Sequence, residues 1–104
     1  MTMTASSIVN SIGNIYVSSG NTAVTFLSIS NVTGNSQLLN IFVVPASTAK
    51  ANTHTVVSNV AIASHDTFQF YDNNEKLLME SGAYIAAIGN NASALHAVIS
   101  YTSI

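Results

Sequence analysis

The chain contains no cysteine, no arginine and no tryptophan, a single proline, and very few charges of either sign. Each absence removes a class of chemistry. Without cysteine there are no disulfides, no thiolate nucleophile and no zinc–sulfur site, although no compartment follows from that. Lys50 and Lys76 are the only lysines. Two cations cannot neutralise a run of phosphates, so nucleic acid is excluded as a partner. Charged residues make up 6% of the chain, against about 25% in ordinary soluble domains. The surface must therefore be made of Ser, Thr, Asn and Ala, with little electrostatic protection against association. Two readings fit that composition: a secreted Ser/Thr-rich polypeptide, or a subunit whose surface is largely covered by neighbours. No apolar run approaches the roughly 20 residues of a membrane helix. The opening MTMTASSIVNSIG lacks the basic region and apolar core of a signal peptide. The expectation is a soluble chain with no membrane contact and no export by a signal peptide of its own.

What remains is apolar and β-prone. At 104 residues with 48% hydrophobic content, the chain fits one domain with a real core. The organising stretch is Val60 to Ala87, three short apolar runs cut by the corners Ala63-Ser64-His65-Asp66 and Glu80-Ser81-Gly82. Such runs are too short for helices and suit antiparallel strands, and Gly82 stands where a tight turn needs positive φ. On either side, Ile15–Val17, Thr22–Ser30, Leu38–Val44, His54–Ile62 and the segment after Asn91 also read as strands. Thr22–Ser30 turns Leu27 and Ile29 toward the core. Leu38–Val44 is apolar on both faces, Leu39, Ile41 and Val43 against Leu38, Phe42 and Val44. A strand of that kind is covered twice or buried on its second side by another chain. His54–Ile62 should turn Val56, Val60 and Ile62 one way, and the last strand Leu95, Ala97, Ile99 and Tyr101. Pro45 closes a strand, since proline cannot donate to a ladder. The fold class is all-β: a single antiparallel β-sandwich of seven to eight strands, jelly-roll or immunoglobulin-like, with a small closed barrel as the alternative. Residues 1–11 read as an N-terminal arm or tail and residues 12–104 as the sandwich domain.

Catalytic chemistry is not evident. His54, His65 and His96 lie in three different elements without ligand spacing, and their reading is surface or internally satisfied side chains. Asp66, Asp72, Glu75 and Glu80 gather every carboxylate of the chain around an Asp72-Asn73-Asn74-Glu75 loop. Calcium could use such oxygens, but the alternating ligand pattern is missing, and a polar turn explains them. No Ser–His–Asp order, nucleophile elbow or phosphate-binding glycine loop occurs. The glycosylation triplets Asn31-Val32-Thr33 and Asn91-Ala92-Ser93 are discounted as chance in so Asn/Ser/Thr-rich a chain. The tyrosines Tyr16, Tyr71, Tyr84 and Tyr101 are scattered one per segment and read as cross-strand packing. No catalytic residue, metal ligand or cofactor is expected, and the chain is not expected to be an enzyme.

The succession IYVSSGNTAVTFLSISNVTGNSQLLNIFVVP, VAIASHDTFQF and KLLMESGAYIAAIGNNASALHAVISYTSI resembles small β-sandwich virion proteins of tailed bacteriophages. The matching positions are Thr22 to Asn31, His65 to Phe70, Leu78 to Gly82, and Val98 to Tyr101, with Ala83 where an acidic residue often follows the corner glycine. These are turn and packing motifs. The resemblance implies architecture and membership of a virion, assembled in the host cytoplasm, and transfers no catalytic residue. Proteins of this kind serve as capsid decoration (cement) proteins or as neck, tail and fibre components.

The expectation is therefore a non-enzymatic capsid decoration protein that stabilises the shell through protein–protein contacts. Its partners are copies of itself, as a trimer, and the major capsid protein or other virion proteins. The contacts are expected on Phe42 and Val44, on the arm around Ile8 and Val9, and on Tyr84. The alternative is a neck, tail or fibre component, including a carbohydrate-binding host-adhesion module, which a cluster of exposed aromatics at one loop end would favour.

Overall fold

The computed structural model describes residues 2–8, 13–70, 77–91 and 94–104. Nine strands are found there: β1 (Thr2–Ile8), β2 (Gly13–Val17), β3 (Thr22–Asn31), β4 (Gln37–Val44), β5 (Thr55–Ile62), β6 (Thr67–Phe70), β7 (Leu77–Met79), β8 (Tyr84–Gly89) and β9 (Leu95–Ser103). One short 3-10 turn, Asn52–His54, precedes β5.

All the pairings are antiparallel. Sheet A runs β1-β9-β3, with β6 and β7 sharing the far side of β3; sheet B runs β2-β8-β4-β5. β7 pairs with Thr22–Val24 and β6 with Leu27–Ser30, so the two behave as halves of one interrupted strand. Counted that way, the pairs nest, first strand with last and inward to β4 with β5. A long hairpin nested so and rolled over itself is a jelly roll. An immunoglobulin sandwich would pair its first two strands in one sheet, whereas β1 and β2 lie in different sheets. The shortest extent of 19 Å suits two layers stacked about 10 Å apart.

The expected arm is strand β1, paired with β9 over seven residues from Thr2↔Tyr101 to Ile8↔Leu95 without a register break. Its sequence TMTASSI lacks apolar alternation, but β9 supplies a ladder along its whole length. The ninth strand, beyond the seven or eight expected, is this one.

The core between the sheets is aliphatic. Leu27, Ile29, Leu95 and Ile99 from sheet A meet Leu39, Ile41 and Ile85 from sheet B, all at most 1% exposed. Each such side chain is worth about 1.5–3 kcal/mol of burial. Tyr16 of β2 packs on Tyr101 of β9 with ring centroids 4.5 Å apart, joining the sheets near one end. The expected faces of β4 and β9 hold. Bulges alter two others. In β3 one extra residue between Val24 and Phe26 brings Val24 onto the core face with Leu27 and Ile29. In β5 the register shifts twice, so Val57, Val60 and Ile62 face the core and Val56 is turned out, 50% exposed. The expected set of Val56, Val60 and Ile62 requires an unbroken alternation. One shift lies at Asn59, whose φ is +50°. Its N–H donates to Asn40 Oδ1 at 2.9 Å, and Asn40 Nδ2 donates to Asn59 Oδ1 at 3.3 Å.

The two corners of the organising stretch are tied to other loops. Gly82, at φ +90°, donates its N–H to the Ser18 carbonyl, and Ser18 donates to the Ala83 carbonyl. At the opposite end, Asn31 is 2% exposed. Its Nδ2 lies 2.7–3.2 Å from the carbonyls of Asn35, Ile62 and Ala63, and its Oδ1 accepts from the Thr33 N–H and hydroxyl. The Asn31-Val32-Thr33 triplet is a buried turn clamp, with every side-chain polar atom of Asn31 engaged.

Candidate functional site

The strands carry the first clue. None of the nine strands found among the described residues contains Asp, Glu, Lys or Arg; the described charges Lys50, Asp66 and Glu80 all lie between strands. The described strands therefore bring no formal charge to either outer sheet surface, and the two surfaces differ in what covers them.

Part of the outer face of sheet B is covered by its own chain, around Phe42, with Val17, Leu38 and Val56 left exposed. Phe42, Val44 and Ala86 form a small second apolar cluster there, 5% exposed or less, with Tyr84 and Ile88 packed against it. The segment from Pro45 to His54 folds back over this cluster. Lys50 Nζ sits 4.3 Å from the centre of the Phe42 ring, a cation–π contact. The Tyr84 hydroxyl donates to the Thr48 carbonyl at 3.0 Å. Gly82 also meets this segment, since a Cβ there would stand 3.2 Å from that of Ala46. The second face of the doubly apolar β4 is thus covered by its own chain at Phe42 and Val44, while Leu38 remains 41% exposed.

The expected contact residues must be moved accordingly. Phe42 and Val44 are interior under residues 45–54, and Tyr84 is half-buried and tied to Thr48. Ile8 is 1% exposed in the main core, beside Gly89 and Leu95. Val9 lies outside the described residues.

Among the described residues, no segment folds over the outer face of sheet A in this way. Its register lays the side chains in rows across the strands. One row is Ser7, His96, Ser30 and Thr67, hydroxyl-rich, with Ser7 Oγ 3.1 Å from His96 Nδ1 and Ser30 Oγ 3.3 Å from Thr67 Oγ1. The next is Ala5, Val98, Ser28 and Gln69. Beyond it come Met3, Ser100 and Phe26, then Thr102, Ala23 and Leu78. Met3 and Leu78 are the most exposed large apolar side chains on this face, at 67% and 68%. The face grades from hydroxyls at one end to apolar groups at the other. Burial of that grade of surface is how protein interfaces gain affinity, with polar groups at the rim. The sequence alternation assigns Phe26, Ser28, Val98 and Ser100 to the non-core sides of their strands. It gives no sign that β1 completes the face with Met3 and Ala5, because TMTASSI carries no strand signal of its own.

The described His, Asp and Glu side chains are dispersed over the molecule. Among the described residues no pocket forms, and no three of His, Asp and Glu come together. His54 Nδ1 accepts from the Ala51 N–H at 3.0 Å, His65 occupies an exposed corner at φ +57°, and His96 stands in the hydroxyl row. Asp66 Oδ1 accepts from the Thr67 N–H at 2.8 Å, an ordinary turn contact. The Asp72-Asn73-Asn74-Glu75 loop, Tyr71 and Lys76 lie outside the described residues. No described aromatic side chain is fully exposed: Tyr16 and Phe42 are buried, and Phe26, Phe68, Tyr84 and Tyr101 are half-buried.

No protein-family model, curated protein or solved structure matches this chain.

Proposed function

We propose that this protein is a non-enzymatic structural component of a bacteriophage particle, a capsid decoration (cement) protein that seats on shell subunits through the outer face of sheet A. One observation carries the reading: a four-row sheet face, its strands without Asp, Glu, Lys or Arg and graded from Ser/Thr to Met, Phe and Leu, has no described segment folded over it and leaves Met3 and Leu78 about two-thirds exposed. The resemblance of its turn and strand motifs to small virion sandwiches supplies the setting. The jelly roll itself does not, because one fold serves many roles. Individual contacts on such a face are weak, and many copies on one shell hold by avidity.

The test is the stoichiometry of purified particles by quantitative mass spectrometry. A copy number comparable to the major shell subunit supports decoration. A few copies per particle move the protein to the neck or tail, and absence from particles overturns the reading. The adhesion alternative has no observation in its favour, since no described aromatic cluster is presented at a loop end.

A further inference from the structure

The four lateral edges of the two sheets are not alike. Unpaired N–H and C=O groups on an edge invite another strand, and proteins blunt such edges with bulges, short strands, charges or proline. In sheet B, edge strand β5 carries two register shifts and a residue at φ +50°. Edge strand β2 is five residues long and has a register break between Asn14 and Tyr16. The far edge of sheet A is divided between β6 and β7, of four and three residues. The fourth edge, β1, has none of these devices. It runs seven residues in unbroken register on β9 and contains no charge, glycine or proline. Among the described residues, no backbone hydrogen bond joins it to anything but β9.

We infer that β1 pairs antiparallel with β1 of a second copy, about a two-fold axis through Ala5, joining two A sheets into one. The occupant is set by the strand's own sequence. A two-fold pairing must be self-complementary. Centred on Ala5, it sets Ala5 against Ala5, Thr4 against Ser6, and Met3 against Ser7, so small uncharged side chains meet at the axis and no like charges oppose. Met3, Ala5 and Ser7 project on the outer face of both copies, so the uncharged face continues across the junction. This contact is distinct from seating on a shell and does not depend on it. It also closes at two copies, whereas a trimer would need another surface.

Sedimentation equilibrium of the full chain up to millimolar concentration tests the pairing. The expected mass is twice the 10.9 kDa of one chain. Ala5→Lys, exposed and so tolerated by the single chain, places two like charges at the axis and should return the mass to that of one chain. Because the chain has no cysteine, Ala5→Cys supplies a second readout. It should form a disulfide-linked dimer on oxidation, while Val56→Cys on the bulged β5 edge should not. A wild-type monomer, a trimer, an Ala5→Lys protein that remains a dimer, or equal cross-linking at the two cysteines would each overturn the assignment.

Discussion

At the scale of single residues, two positions decide whether the ends of the sandwich close. Gly82 meets two constraints at once, a φ of +90° and the Ala46 side chain 3.2 Å from where a Cβ would stand. Gly82→Ala should therefore cost about 1–2 kcal/mol from the left-handed backbone alone, with the contact adding to it. Urea denaturation should show the loss as a lowered midpoint at unchanged slope. The need for glycine there is legible from the turn chemistry of Glu80-Ser81-Gly82. The contact with Ala46 is not, since it depends on where residues 45–54 travel. Asn31 is the second position. Its amide serves three carbonyls and its oxygen serves Thr33 twice. Asn31→Ala strands the buried Ile62 carbonyl and removes the part-buried contacts to Asn35, Ala63 and Thr33; a buried unpaired group costs about 1–3 kcal/mol, and thermal unfolding should register a loss of that order. Asn31→Asp should be no better, because a carboxylate cannot donate to the carbonyls it would face. In sequence, Asn31 reads only as the start of a turn or a glycosylation triplet.

At the scale of elements, strands declared by apolar alternation are legible in the sequence, and faces re-aimed by bulges are not. Leu39 and Ile41 in β4, and Leu95, Ala97 and Ile99 in β9, lie where a period of two puts them. β5 departs because each inserted residue reverses the facing of the residues after it, and nothing in TVVSNVAI marks the insertions apart from Asn59, a residue type that tolerates positive φ. The consequence is measurable. Val56→Ala should change stability by less than about 0.5 kcal/mol, as a surface substitution does. Val57→Ala, its neighbour on the core side, should cost about 1–2 kcal/mol. A larger cost at Val56 than at Val57 in chemical denaturation would mean that β5 has the regular alternation after all. β1 is hidden for the opposite reason. Thr, Ser and Ala give no alternation signal, and what makes TMTASSI a strand is β9, far away in sequence.

At the scale of the whole molecule, the placement of charge sets the physics of association. The described formal charges fall between strands, so the described part of the surface proposed to meet a shell offers only dipoles and apolar groups. Its binding to particles should change by less than about twofold as added salt shortens the screening length from about 10 Å to about 3 Å. Titration of fluorescently labelled protein onto stripped particles would check this. A steep decline with salt would point to the corners carrying Asp66 and Glu80 instead. That the surface would be uncharged is legible from composition. Which face stays open is not, because it depends on residues 45–54 lying over Phe42 while no described segment straps sheet A in the same way.

The position of β9 between β1 and β3 has a consequence for biogenesis. As the polypeptide emerges from the ribosome, sheet A has no centre until residues 95–103 are free of the exit tunnel. β1 must wait throughout synthesis with neither its neighbour nor its half of the core. Assembly of sheet A is thus postponed until β9 has been made, and strands that carry no charge to keep them apart are until then open to capture by other nascent copies. Rapid release, or a chaperone holding the emerging ribbon, would govern the yield of this protein more than its final stability does.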